Sequence, residues 1–155
     1  MLKFDMEPKS GNGNFIRLDD GDSVTGILAG EVRTFYSLFV DGKSEEVPED
    51  TPKAKFRFRV NIVVKEEDGT LVPKLFEQGA NVYRAFKELA QDYDLEQTLV
   101  KIKRTGSKMS DTKYSVLPLP TKIAPETFEK LAVIQLLPLE SEASEVVANG
   151  EDGNF

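Results

Sequence analysis

The sequence predicts a mainly β domain: a five-stranded barrel with one helix between the third and fourth strands, a further C-terminal helix and a disordered acidic tail. Three observations predict it. Residues 53–64 alternate apolar and polar, with Val63 alone out of step, so successive side chains address opposite faces of a strand. Turn clusters rich in Asp and Gly, at 19–22, 67–69 and 106–107, separate short β-rich runs. One stretch, at about 81–93, changes to helical spacing of its apolar residues.

The 155 residues suit one domain. Residues 1–14, with Pro8, Gly11 and Gly13, read as a flexible lead-in, and residues 15–137 as the folded domain. The first strand is expected at 23–30, with Gly26 in mid-run suggesting a bulge. A second, aromatic strand follows at 32–40, and the polar, acidic run 41–52 reads as a loop. In the third strand Ala54, Phe56, Phe58, Val60, Ile62 and Val64 share one parity, and Lys53, Lys55, Arg57, Arg59 and Asn61 the other. The turn at Glu67-Asp68-Gly69 leads into a short return strand near 71–76. The helix at 81–93 carries an apolar stripe of Val82, Phe86 and Leu89, with Tyr83 and Ala90. Strands at 99–104 and 112–117 flank the turn Gly106-Ser107-Lys108. A second helix is expected from Pro125, where Pro fits a first turn, to Leu137. With the short return run at 71–76 left out of the count, the order is β-β-β-α-β-β, which in one small domain is that of the OB-fold, a fold that commonly binds single strands and oligosaccharides.

Composition removes whole classes of chemistry. There is no Cys and no His, which excludes zinc ribbons, disulfide scaffolds, Cys nucleophiles and His-dependent triads. No converging carboxylates suggest a metal site: Asp19, Asp20 and Asp22 lack the spacing of a calcium loop. The expectation is a non-enzyme with no catalytic residue, cofactor or metal. No apolar run reaches the roughly 20 residues that span a bilayer, and MLKFDMEPKS lacks the apolar core of a signal peptide, so a cytosolic protein with no membrane partner is expected.

The net charge of −7 divides unevenly. Residues 138–155 hold Glu140, Glu142, Glu145, Glu151 and Asp152 and no cation, which leaves 20 cations against 22 carboxylates in the rest. Lys53, Lys55, Arg57 and Arg59 form a line of like charge on one strand face, with neighbours about 6.6–7 Å apart. Such a line suits phosphates; the alternative is a solvated outer face. Lys101, Lys103 and Arg104, continuing to Lys108 and Lys113, form a second basic set on a strand-turn-strand hairpin. Base stacking needs exposed rings. If Tyr36, Leu38 and Val40 face the core, Phe35 and Phe39 face outward; the reverse assignment would expose Tyr36. Tyr114 is a further candidate whose parity with Val116 also fits the core. The tail ends Glu151-Asp152-Gly153-Asn154-Phe155, offering a partner protein one ring and a carboxylate. Its composition reads as disordered.

The stretch Phe15-Ile16-Arg17-Leu18-Asp19-Asp20-Gly21-Asp22-Ser23-Val24, the basic strand and the helix carry a resemblance, and above all so does Lys103-Arg104-Thr105-Gly106-Ser107 followed by Thr112-Lys113-Tyr114-Ser115-Val116. Over roughly residues 15–137 the chain resembles the single-stranded DNA-binding proteins of tailed bacteriophages. The resemblance implies an OB-fold that coats and protects single strands during replication, recombination and repair, in the cytoplasm of a bacterial host. It also implies an acidic, aromatic-ended tail that recruits replication or recombination proteins. In the bacterial version a Pro precedes the final Phe; here Asn154 does. The rival reading is an OB-fold adaptor whose basic strand meets an acidic protein. Dimerisation is left open by the sequence.

Overall fold

The computed structural model describes residues 14–108 and 110–140. It is mainly β: six strands form one antiparallel sheet, accompanied by two helices. β1 (Ser23–Val40) is the backbone of the arrangement, pairing with β3 (Lys55–Lys65) on one edge. On its other edge it pairs with β5 (Val100–Thr105) near its start and with β2 (Lys43–Val47) near its end. β4 (Leu71–Gly79) flanks β3, and β6 (Lys113–Pro118) flanks β5, giving the order β4-β3-β1-β5-β6.

The two expected strands at 23–30 and 32–40 are one. Gly30, with φ of 80°, lets two residues of β1 bulge out between Ala29 and Val32, while both halves stay paired with β3. The bulge therefore sits at Gly30 and not at Gly26. Gly26 serves close approach instead: a Cβ there would lie 2.6 Å from the Val63 carbonyl oxygen and 2.7 Å from Ile62 Cγ1. The sixth strand comes from the expected loop. Asp41 and Gly42 both take positive φ, 52° and 81°, which is the two-residue turn that matches strand twist, so β2 folds back on β1 as a hairpin.

The core face of β3 is the one its alternation predicts. Phe58, Val60 and Ile62 are buried with Leu28, Phe76, Val100 and Ile102, and α1 (Ala80–Leu89) adds Val82 and Phe86. Phe58, Phe76 and Phe86 meet edge to face, with ring centroids 5.8–6.0 Å apart. β4 runs three residues past the expected end and passes directly into α1 at Gly79. The sheet is not closed: among the described residues no ladder joins β4 to β6, and Gln78 Nε2 donates to Tyr114 Oη across the gap at 3.0 Å.

α2 (Pro125–Val133) ends four residues earlier than the apolar pattern predicts. Ile134 is already extended, and the Leu137 N–H donates to Asn61 Oδ1 at 2.9 Å instead of to the helix carbonyl four residues back. The side chain of β3 thus outcompetes the next turn of helix. α2 buries no residue, and Val133 is 83% exposed. Among the described residues no helix is long and apolar enough to cross a membrane.

These environments predict unequal costs. Phe58→Ala should lower unfolding stability by about 3–5 kcal/mol in urea titrations, whereas Val133→Ala should change it by less than about 0.5 kcal/mol. Equal losses would contradict the packing described.

Candidate nucleic-acid interface

Because β1, β3 and β4 are in register, the side chains opposite the core form one outer face. Ala29, Arg33, Phe35 and Ser37 on β1 lie opposite Asn61, Arg59, Arg57 and Lys55 on β3, with Leu75 and Glu77 on β4, and Phe39 continues the face onto the β1–β2 hairpin. The middle of this face is covered. Residues that follow α2 reach across it: Asn61 Nδ2 donates to the Leu137 carbonyl at 3.0 Å, and Arg59 Nη1 to the Leu139 carbonyl at 2.5 Å. Phe15 closes the side near β4, where its neighbour's N–H bonds to the Leu75 carbonyl at 2.8 Å.

The expected phosphate-binding line on β3 is therefore broken. Arg59 is 2% exposed, with Nε on Glu77 Oε1 at 2.8 Å and its guanidinium over the rings of Phe35 and Phe15 at 5.0 and 5.7 Å. Arg57 shares the same carboxylate more weakly, Nε to Oε2 at 3.3 Å, and keeps part of its side chain in solvent. A buried guanidinium must be paired and hydrogen-bonded, and Glu77 with the 134–140 segment supplies both needs. Lys55 is exposed on the strand; Lys53 is exposed in the preceding turn with φ of 66°, off the strand line. Of the tail expected from residue 138, Leu139 meets β3 through its carbonyl, which accepts from Arg59, while Pro138 and Glu140 are exposed. Glu151, Asp152 and Phe155 lie outside the described residues.

The three rings expected to stack on bases have three fates. Phe35 points away from the core as its parity requires, but it is only 7% exposed, held between Arg59 and the guanidinium of Arg33 at 4.8 Å. Arg33 itself is fixed by Glu46 at 2.7 Å. Tyr114 lies on the core side of β6, its hydroxyl accepting from Gln78, and is half-buried. Phe39 remains open, 64% exposed near the tip of the β1–β2 hairpin, on the same face as Lys55. Tyr36 packs inward on Phe56 with centroids 5.7 Å apart, so the parity assignment that turns Phe39 outward holds.

A different basic face is open to solvent. At the other end of β1, Ser23 and Thr25 pair with Lys103 and Lys101 of β5, which pair in turn with Ser115 and Leu117 of β6. Thr105 and Lys113 complete the same face. These eight neighbours include three lysines, four hydroxyl side chains and no carboxylate, and none of the lysines makes an ion pair among the described residues. All are exposed except Lys101, which is half-buried. Arg104 has the opposite parity and turns inward, donating from Nη1 to the Leu18 carbonyl at 2.7 Å, while its buried Nε lacks a partner among the described residues. Lys108 is exposed in the β5–β6 turn, which Asp111 braces through a carboxylate bond to the Lys108 N–H at 2.9 Å. Among the described residues no group of carboxylates could hold a metal ion.

Comparison with known proteins finds no family model, no curated protein and no solved structure that matches this chain.

Two outcomes test this placement. Arg59→Ala should cost about 3–5 kcal/mol of stability because it leaves Glu77 buried without its main partner, while Lys55→Ala should cost less than about 0.5 kcal/mol. Burial holds the Tyr114 phenol above its ordinary value of 10.0, outweighing the opposing influence of Arg104, Gln78 and Arg57. The folded state then keeps this proton more tightly than the unfolded chain. Its contribution is intact below pH about 10 and is lost as pH rises through the raised folded value. Tyr114→Phe should therefore give a shallower fall of stability on the alkaline side, and an unchanged slope would place the phenol in a water-like setting.

Proposed function

We propose that this chain is a non-catalytic OB-fold protein that binds single-stranded DNA without sequence preference, protecting it during phage DNA replication, recombination and repair. The observation that carries the reading is the outer face of β1, β5 and β6: Lys101, Lys103 and Lys113 among hydroxyl side chains, with no carboxylate in registered neighbouring positions. A polyanion gains from such a face by releasing its counterions, with no need for base-specific contacts. Phe39 offers an exposed ring on β1, and Lys55 a charge on the adjoining β3. Ring stacking of this kind is indifferent to base identity and contributes about 1–3 kcal/mol per base.

The strand order supports the fold assignment. With the β2 hairpin counted as an elaboration of the first connection, the chain reads β-β-β-α-β-β, and the open sheet fits a partly open OB barrel. The resemblance of Arg104-Thr105-Gly106-Ser107 and Thr112-Lys113-Tyr114 to phage single-strand-binding proteins supports it from the sequence. In this reading the acidic, Phe-terminated tail recruits replication or recombination proteins, and the protein works in the cytoplasm of a bacterial host.

The test is anisotropy of a labelled oligo-dT of about 30 nucleotides across a salt series, with the matching duplex as control. Affinity should favour the single strand and fall with salt, each neutralised phosphate adding about 0.7 to the logarithmic slope. Replacing Lys103 and Lys113 together by Glu should lower affinity at least about tenfold and flatten that slope by about 1–2. Absence of binding at low salt would overturn the reading in favour of a protein adaptor.

A further inference from the structure

β1 alone connects the two exposed patches. Ser23 and Thr25, at its start, belong to the lysine face, and Phe39, near its end, is the exposed ring beside Lys55. Ser23, Thr25 and Phe39 have the same outward parity, and the two-residue bulge after Ala29 preserves it. With Gly30 and Glu31 looped out, seven two-residue steps of strand separate Ser23 from Phe39. Each step covers about 6.6–7 Å of strand, close to the repeat of phosphates along an extended single strand. Between the patches the outward side chains are engaged within the protein: Ile27 and Phe35 are buried, Arg33 is paired with Glu46, and Asn61 and Arg59, opposite Ala29 and Arg33, bond to the Leu137 and Leu139 carbonyls. The outer surface therefore carries two separate footholds, one of charge and one of stacking, at the two ends of a single long strand.

Resting on the DNA-binding reading above, we infer that one single strand engages both footholds at once. Its backbone lies against Lys101, Lys103 and Lys113, a base a little under ten nucleotides away stacks on Phe39, and the intervening nucleotides pass the covered middle with few contacts. The minimum length for full affinity is set by the span of β1, at about eight to ten nucleotides, inside the range of about 4–16 covered by single OB-folds. A shorter oligomer holds one foothold or the other. Once the strand reaches both, the second contact becomes intramolecular, and affinity rises steeply by effective concentration and not in proportion to length.

The experiment is a length series of dT4, dT6, dT8, dT10, dT12 and dT16, measured by competition anisotropy at low salt with the full chain. Wild type should show a step of about 100-fold between dT6 and dT12 and little gain beyond. Phe39→Ala should remove the step while leaving dT4 affinity within about threefold, because the lysine face still holds a short strand. Phe39, Lys103 and Lys113 are exposed and Lys101 is half-buried, and urea titration of each variant checks that it remains folded. Joint replacement of Lys101, Lys103 and Lys113 by Gln should weaken dT4 about tenfold and also abolish the step. A smooth, proportional rise with length, or a step that survives Phe39→Ala, would overturn the two-foothold path while leaving DNA binding in place. Failure of every length, including an oligo-dT of about 30, would overturn the function proposed above and this path with it.

Discussion

The burial of β3 on both faces is the constraint on which the rest of this structure depends. From Phe58 to Val63 six consecutive residues are buried, although only alternate ones face the hydrophobic core. An apolar sequence would satisfy that condition simply. This one places Arg59 and Asn61 on the second face, so the covering layer must supply hydrogen bonds as well as contact. Glu77, the Leu139 carbonyl and both polar groups of the Leu137 peptide do so, and they draw residues 134–140 out of helix and across the sheet. The early end of α2 and the cover over the middle of the outer face follow from that demand.

The same demand sorts the cations into two kinds. Arg33 and Arg59 are structural: both have carboxylate partners and lie against Phe35. Arginine suits this role because its planar charge is weakly hydrated and can bond and stack together. The lysines of β5 and β6 have no such partners among the described residues and keep their charge in water. Like charges held close on one face repel one another, an arrangement that an anionic partner relieves.

The sequence made one layer of this organisation legible and hid the other. The alternation that runs from Lys53 to Ile62 identified the core side of β3, and the parity of Tyr36 correctly turned Phe39 outward, because both depend on local period alone. It could not show that Phe35 and Arg59, also outward, are covered, since the cover lies about 80 residues further along the chain. The arginines themselves were a usable hint: the buried positions carry Arg and the open face of β5 and β6 carries Lys. The β2 hairpin had a local signal in Asp41-Gly42, masked by the acidic residues around it. α2 misled because Ile134 and Leu137 continue a helical stripe, yet the backbone found better partners on β3.

The bulge in β1 is even-numbered, and this makes it a device of evolutionary grammar. Two residues, Gly30 and Glu31, are looped out against β3, so the inside-outside rhythm resumes in phase at Val32. A lineage that lost one of them would turn the C-terminal half of β1 over, sending Arg33 and Phe35 toward the core and Tyr36 toward water. A lineage that lost both would keep every facing and only straighten the strand. Length variation at this point should therefore be tolerated in pairs, and the curvature of the sheet can be adjusted there without rewriting which side chains meet the solvent.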